Sequence, residues 1–297
     1  MTWLAGIDIG GTNVKAVAVT ADGTVLARSS RETRDGRATA SDWIEAARAA
    51  VAGFAAAQGG PPAAIGVCAP GLAATDARSI AHLPGKLAGL AGLDWTRELG
   101  RPDVVPVLND AHAAIVGEAW TGAARGRRNV VLLTLGTGVG GAVICDGRLL
   151  RGAIGRAGHI GHLCLDPEGP KSITGMPGAV EMMFGDGTVA ARSGGRFPTT
   201  TALVAGYRAG DPDAAQVWLR SVRALGCAIA SCINLFDPEV VVLGGGIALA
   251  GDALFTPLAA EVERAEWRPA GYQVPVVAAA LGEWAGAIGA ARHAHSP

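Results

Sequence analysis

Two stretches of the chain carry the same device. Gly6-Ile7-Asp8-Ile9-Gly10-Gly11-Thr12-Asn13 leads into an apolar strand and the turn Asp22-Gly23. Leu133-Thr134-Leu135-Gly136-Thr137-Gly138-Val139-Gly140-Gly141 leads into another apolar strand and the turn Asp146-Gly147. Each reads as strand, tight glycine turn and returning strand. Glycine there lets backbone N–H groups line a concave nest for an anion. A duplicated hairpin of this kind predicts two lobes gripping one polyphosphate, and so a nucleotide-dependent phosphotransferase or ATPase.

The 297 residues suffice for two lobes with their own cores. The formal net charge is −1, so no basic field favours nucleic acid and no polybasic run favours a membrane surface. Charged residues make up 17%, below the roughly 25% of an average domain, and hydrophobic residues 49%, which fits a compact enzyme. No secretory signal is expected, because Asp8 arrives before an apolar segment could form. The uncharged run Ala224–Phe236 is too short to span a bilayer. The five cysteines contain no C-x-x-C pair and are expected to be reduced and mostly buried, in a cytoplasmic protein.

Two strands joined at Asp22-Gly23 are expected over residues 4–29, and further strands over 64–68, 102–108, 130–135 (opening the second hairpin) and 240–243. Helices are expected over 42–57 (with Ser41 as N-cap and Ile44, Ala47, Val51 and Phe54 on one face), 111–120 and 214–236, the last with Val222, Leu225, Ile229 and Ile233 buried. Strands alternating with helices argue an α/β architecture. Residues 151–197 are glycine-rich and irregular, too long for an idle connection, and read as a functional loop region. Asp110 follows a buried strand and opens a helix. It could cap that helix, or it could face a cleft and take a proton from a hydroxyl.

Asp8 with Gly10-Gly11-Thr12, then Asn109-Asp110, Gly136-Thr137-Gly138 and Gly158-His159-Ile160-Gly161-His162 stand in an order that resembles the ROK family (repressors, open reading frames, sugar kinases). The stretches Gly66–Gly71, Asp146–His162 and Val241–Gly246 extend the resemblance over nearly the whole chain. It implies the two-lobed actin-like ATPase (ribonuclease H-like) fold with the active site in the interlobe cleft. It assigns the catalytic base to Asp110 and substrate hydroxyl contacts to Gly71, Asn109, Asp110, His159, His162 and Glu181. ATP would be held by Asp8, Gly10, Gly11, Thr12 and Asn13 from one lobe. From the other it would be held by Gly136, Thr137 and Gly138, with Gly244, Gly245 and Gly246 on the adenosine side. Asp8 would organise Mg2+ through water. Lys15 receives no phosphate contact. The expected lobes are residues 1–116 plus 283–297, and residues 117–282. A homodimer is implied, with Trp267 and the loop around Phe184 as interface candidates.

The chain departs from the family at three places. Where family sugar kinases have Gly-Glu-x-Gly-His, this chain has His159 in place of the Glu. A neutral imidazole donates and accepts, whereas a carboxylate only accepts, so a different polyol should fit. The family's C-x-C-G-x-x-G-C-x-E, which with the preceding His binds structural zinc, reads here Ser172-Ile173-Thr174-Gly175-Met176-Pro177-Gly178-Ala179-Val180-Glu181. No thiolates remain, so zinc is not expected, and Cys164 is expected to be buried. His82 also replaces an Asn beside the sugar cleft.

The expected activity is ATP-dependent phosphorylation of a hydroxyl on a hexose-like sugar or a cyclitol. A C7-cyclitol kinase of the valienol or valiolone type is the more specific alternative, and a non-catalytic sugar-binding regulator the alternative of another class. The partner is a small-molecule sugar or cyclitol, with neither nucleic acid nor membrane expected.

Overall fold

The computed structural model describes residues 2–33, 36 and 39–295. The chain divides into two compact units. Unit one comprises Met1–Gly126, Leu149–Ala157 and Ala280–Pro297, and unit two Arg127–Arg148 and Gly158–Ala279. The boundary drawn from sequence at residue 116 falls inside a helix, and unit one also takes in residues 149–157. Residues 1, 34, 35, 37, 38, 296 and 297 of the expected first lobe lie outside the described residues.

Unit one is built on a five-stranded sheet. Strands β1 (Trp3–Ile9), β2 (Asn13–Thr20) and β3 (Val25–Glu32) form an antiparallel meander; α1 (Ala40–Gln58) follows, then β4 (Ala64–Ala69). A small hairpin, β5 (Leu72–Ala73) and β6 (Ile80–His82), and the short α2 (Trp95–Glu98) precede β7 (Val107–Asn109) and α3 (Asp110–Thr121). The sheet order is β3-β2-β1-β4-β7, with β1, β4 and β7 mutually parallel. The expected strand over 102–108 shrinks to these three residues of β7. Trp3, Ile7, Val67, Trp43 and Trp95 are fully or almost fully buried on one face of the sheet.

Helix α1 begins two residues earlier than the pattern suggests. Thr39, not Ser41, is its N-cap, because the Asp42 carboxylate reaches back to the Thr39 N–H at 2.7 Å. Ala47 and Phe54 are buried as expected, but Trp43, Ala46 and Ala50 complete the face, and Ile44 and Val51 lie at its margin.

Unit two repeats the plan. Strands β8 (Val130–Leu135), β9 (Val139–Cys145) and β10 (Arg148–Leu149) begin it, followed by α4 (Val180–Phe184), α5 (Val189–Arg192), α6 (Thr200–Arg208) and α7 (Pro212–Phe236). Strand β11 (Val240–Gly244), α8 (Asp252–Ala265) and β12 (Val276–Ala278) complete it. The sheet order is β10-β9-β8-β11-β12, with β8, β11 and β12 parallel. Helix α9 (Ala285–His295) returns to unit one and packs on α3, β1 and β4.

Val222, Leu225, Ile229 and Ile233 of α7 are buried as expected. The helix starts two residues before the pattern, with Asp211 as N-cap and Pro212 in the first turn, where its missing N–H costs nothing. Its full 25 residues are long and apolar enough to cross a membrane by length and composition alone, which the shorter uncharged run was not. Half of its apolar window is buried within the structure, with Trp218 against Phe184, as in a core helix.

Candidate active site

The parallel strands of unit one end side by side. In register, Asp8 of β1 lies opposite Cys68 of β4, Cys68 opposite Leu108 of β7, and Ala69 opposite Asn109. The carboxyl ends of parallel strands are where α/β sheets place ligand-binding groups. Asn109, 6% exposed, caps α3 with its Oδ1, accepting from the N–H groups of Ala111 at 2.9 Å and His112 at 3.2 Å. Its Nδ2 donates to the Gly71 carbonyl at 2.9 Å. Asp110 is therefore not the cap. It is the first helical residue, half-buried, and one oxygen accepts from the Ala111 N–H at 2.8 Å.

Burial pushes the Asp8 carboxyl up to about 7, and the neighbouring Asp110 carboxylate adds to the rise. The Cys68 thiol, which hydrogen-bonds Asp8, and Lys15 both pull it back. Cys68 is fully buried, and burial beside Asp8 and Asp110 holds its thiol protonated. Gly286, in the first turn of α9, lets the Asp8 carboxylate rest against that helix: a β-carbon there would lie 2.8 Å from Asp8 Oδ2 and 3.2 Å from Cys68 Sγ. The helix N-terminus favours negative charge. Lys15, opposite Asp8 across β1 and β2, pairs with Glu283 at 2.8 Å. In the first glycine turn the Gly10 N–H closes onto the Asn13 carbonyl at 2.9 Å, while Gly11 and Thr12 are exposed.

The rest of the sequence-predicted set lies in unit two. The segment 158–162 packs on β9 so closely that a β-carbon at Gly161 would sit 1.7 Å from the Val139 carbonyl oxygen. That close approach requires the glycine between the two histidines. His159 and His162 stack in parallel, their ring centroids 6.4 Å apart and their planes 7° from parallel. His162 Nδ1 lies 3.4 Å from Glu181 Oε1 without hydrogen-bond geometry, and both atoms are buried and unpartnered. Two buried polar atoms left open are what a hydroxyl-bearing ligand would satisfy. Glu181 Oε2 also covers the second glycine turn, 2.8 Å from where a β-carbon of Gly138 would stand.

Gly136 and Thr137 line a cavity of about 550 Å³ with Asp186, Thr200, Arg208 and Gly246. Gly244 ends β11, and Gly245, at φ 86°, turns the chain toward the cavity. Asp186 and Gly187 brace the turn by donating their N–H groups to the Gly136 and Thr137 carbonyls at 2.9 and 2.8 Å. Asp186, Thr200, Arg208, Cys68 and Gly286 escape a reading of the sequence. They carry no spacing motif and are brought in by packing.

In the irregular region, the positions aligned with zinc cysteines do other work. Ser172 Oγ and Thr174 Oγ1 hydrogen-bond each other at 2.9 Å, and Ala179 is fully buried, bridging to Cys164. Among the described residues no group of three or more His, Cys, Asp or Glu side chains is disposed to hold a metal ion. Cys164 is exposed, not buried, because only its backbone faces Ala179. Phe184 is fully buried against Trp218 and is not a surface residue, whereas Trp267 is 72% exposed.

Two α/β units of one topology, each opened by a glycine hairpin, define the actin-like ATPase (ribonuclease H-like) fold. The crystal structure of the ROK hexokinase from Thermus thermophilus matches with a TM-score of 0.87 at 33% identity, covering 99% of this chain and 98% of that one. The ROK family glucokinase of Streptomyces griseus, solved in complex with glucose and AMPPNP, matches with a TM-score of 0.79 at 30% identity, covering 99% and 100%. The N-acetylmannosamine kinase of Escherichia fergusonii is 35% identical over 298 residues, which cover 98% of this chain and 97% of the relative. The sequence matches the ROK family over residues 4–296, and the chain belongs to that family.

Proposed function

We propose that this protein is an ATP-dependent sugar kinase, a phosphotransferase that moves the γ-phosphoryl group of ATP to a hydroxyl of a hexose-like ring. The observation that carries this reading is Asp110. Asn109 caps α3, and Asp110 next to it places a carboxylate at the carboxyl edge of the sheet, beside Asp8. Relatives that match the whole chain are kinases of glucose and of N-acetylmannosamine.

In this reading Asp110 accepts the proton of the attacking hydroxyl as its oxygen bonds to the γ-phosphorus and the bond to the bridging oxygen breaks, releasing ADP. Each glycine turn offers backbone N–H groups to phosphate oxygens: Gly10, Gly11, Thr12 and Asn13 in unit one, and Gly136, Thr137 and Gly138 in unit two. Gly244, Gly245 and Gly246 shape the adenosine side. A second carboxylate close enough to raise the Asp8 pKa fits a divalent cation. Asp8 would hold Mg2+ through water, and the ion would neutralise charge on the phosphates. Zinc does not fit the Ser172, Thr174 and Ala179 positions, and the loop keeps its shape through their hydrogen bond and burial.

Gly71 and Asn109 in unit one, and His162 and Glu181 in unit two, offer groups to acceptor hydroxyls, with His159 as the specificity element. Asn109 contributes mainly by orientation, since its amide is engaged with α3 and Gly71. His159 in place of a carboxylate favours a second reading of the substrate, a C7 cyclitol that lacks an anomeric centre. Cytoplasmic location and a homodimer that buries Trp267 accord with a soluble kinase. The test is ADP release from Mg-ATP across hexoses, N-acetylhexosamines, ketoses and C7 cyclitols. Acceptor-dependent release identifies the substrate class, and its absence across the panel contradicts the kinase reading. His159→Glu should then raise kcat/KM for glucose by about tenfold or more, the scale of one additional hydrogen bond to a sugar hydroxyl in a buried site.

A further inference from the structure

A second cavity of unit two, about 610 Å³, takes no part in the proposed reaction. It lies behind α4: Glu181 of that helix faces His162 and Gly138, while Met182 and Met183 line the cavity. Leu165 of the loop and Val217 of α7 add apolar wall, and Arg192, Arg220 and Arg223 supply the charge.

Arg192 is largely withdrawn from water, and its guanidinium meets only neutral acceptors. It donates to Thr188 Oγ1 at 3.1 Å, to the Gly185 carbonyl at 2.9 Å and to Ser221 Oγ. Burial pulls its pKa down to about 10, against the nearby Asp186. Three of its five N–H donors are used, which leaves two for a ligand. Arg220 is exposed and has no ion pair among the described residues, and Arg223 Nε comes no closer than 4.0 Å to Glu261. Asp166 is the acidic group on the wall, with one oxygen accepting from the Glu168 N–H at 3.0 Å.

We propose that this cavity binds a phosphate monoester with a small polyol body, of the size of a sugar phosphate. Arginine presents a planar fork that matches phosphate oxygens in pairs. A largely buried cation that hydrogen-bonds only neutral acceptors, with Asp186 as the carboxylate near it, is further offset by a bound anion. The volume falls within the ~300–1,000 Å³ of small-ligand sites. The two methionines form an adaptable wall for the ligand's carbon face, and Asp166 can accept from its hydroxyls. The site is coupled to the nucleotide turn: Arg192 holds Gly185, and the next two residues hold the Gly136 and Thr137 carbonyls.

The experiment is calorimetric titration of the full-length protein with glucose 6-phosphate, with glucose and with inorganic phosphate, in wild type and in the Arg220→Ala/Arg223→Ala double variant. Both arginines are exposed and outside the proposed reaction, so the double variant should fold and keep its kcat and KM. The expected result is glucose 6-phosphate binding at least tenfold tighter than glucose in wild type and at least tenfold weaker in the double variant. Weaker binding of inorganic phosphate, lost in the same variant, would mark the phosphate as the anchor. No binding, equal binding in both proteins, or equal loss of glucose and glucose 6-phosphate overturns the proposal. So does an arginine-dependent self-association without ligand binding, which would make the cavity an interface between copies. None of these outcomes bears on the sugar kinase reading, which stands on Asp110.

Discussion

Asn109 and Asp110 are neighbours with separate duties. The first uses its amide on two backbone N–H groups and the Gly71 carbonyl, and the second, the first residue of α3, accepts from the Ala111 N–H. Sequence order alone admits either residue as the cap, so the division is decided by φ and ψ at Asn109, which are extended. Another residue of unit one reports on pH. Burial, aided by Arg151, lowers the His293 pKa to about 4. The unfolded chain then binds the additional proton between about 6.5 and about 4, so His293 lowers stability as pH falls through that window. The melting temperature of wild type relative to His293→Gln should fall between pH 7 and pH 4.5. An offset independent of pH would contradict the assignment. Asp8, His159 and His162 were legible beside glycines whose spacing suits close packing, and Asp110 and Glu181 from their place in the order of motifs that resembles the family. Cys68 and Gly286 were not. Their relation to Asp8 depends on the register of β1 with β4 and on the docking of α9, which no local pattern encodes.

At the scale of elements, α3 is fixed at both ends. Its start is capped by Asn109, and near its end Glu118, fully buried, accepts from the backbone N–H groups of Ala123 at 2.7 Å, Ala280 at 3.1 Å and Leu281 at 2.9 Å. One carboxylate therefore joins the helix that carries Asp110 to the segment leading into α9, against which Asp8 rests. Glu118→Gln replaces an acceptor oxygen with a donor facing backbone donors and should cost about 2–3 kcal/mol in urea unfolding. A loss below about 0.5 kcal/mol would mean that the backbone finds other partners. The loop of residues 164–181 is held by the Ser172–Thr174 hydrogen bond, the Lys171–Pro177 and Cys164–Ala179 bridges and buried Ala179. Treatment with a strong chelator followed by restored Mg2+ should therefore leave activity and melting temperature unchanged. A lasting loss that Zn2+ reverses would contradict a zinc-free loop. Long elements such as α7 declared themselves by periodicity. The strand at β7 reads too long in the sequence, because three residues have no period and the preceding prolines and aspartate admit extended chain without sheet pairing.

For the molecule as a whole, the repeat seen in the glycine hairpins extends to the topology. Both sheets run as a three-strand meander followed by two parallel strands on the far side of the first strand. The hairpins were legible because glycine, strand and turn are local. The shared sheet order was not, because it depends on crossovers through helices. The division of the chain at residues 126, 148, 157 and 279 likewise follows contacts between distant segments, which is why a boundary drawn at residue 116 cut through α3. The proposed activity rests on Asp110 as the group that accepts the hydroxyl proton. The most direct test is steady-state kinetics of Asp110→Asn with the best acceptor from the panel, paired with calorimetric binding of that acceptor. A general base at this position predicts a kcat lower by ~10²–10⁴, the usual worth of such a group, with acceptor affinity within a few-fold of wild type. A kcat within tenfold of wild type, with the protein folded and the acceptor bound, would contradict it.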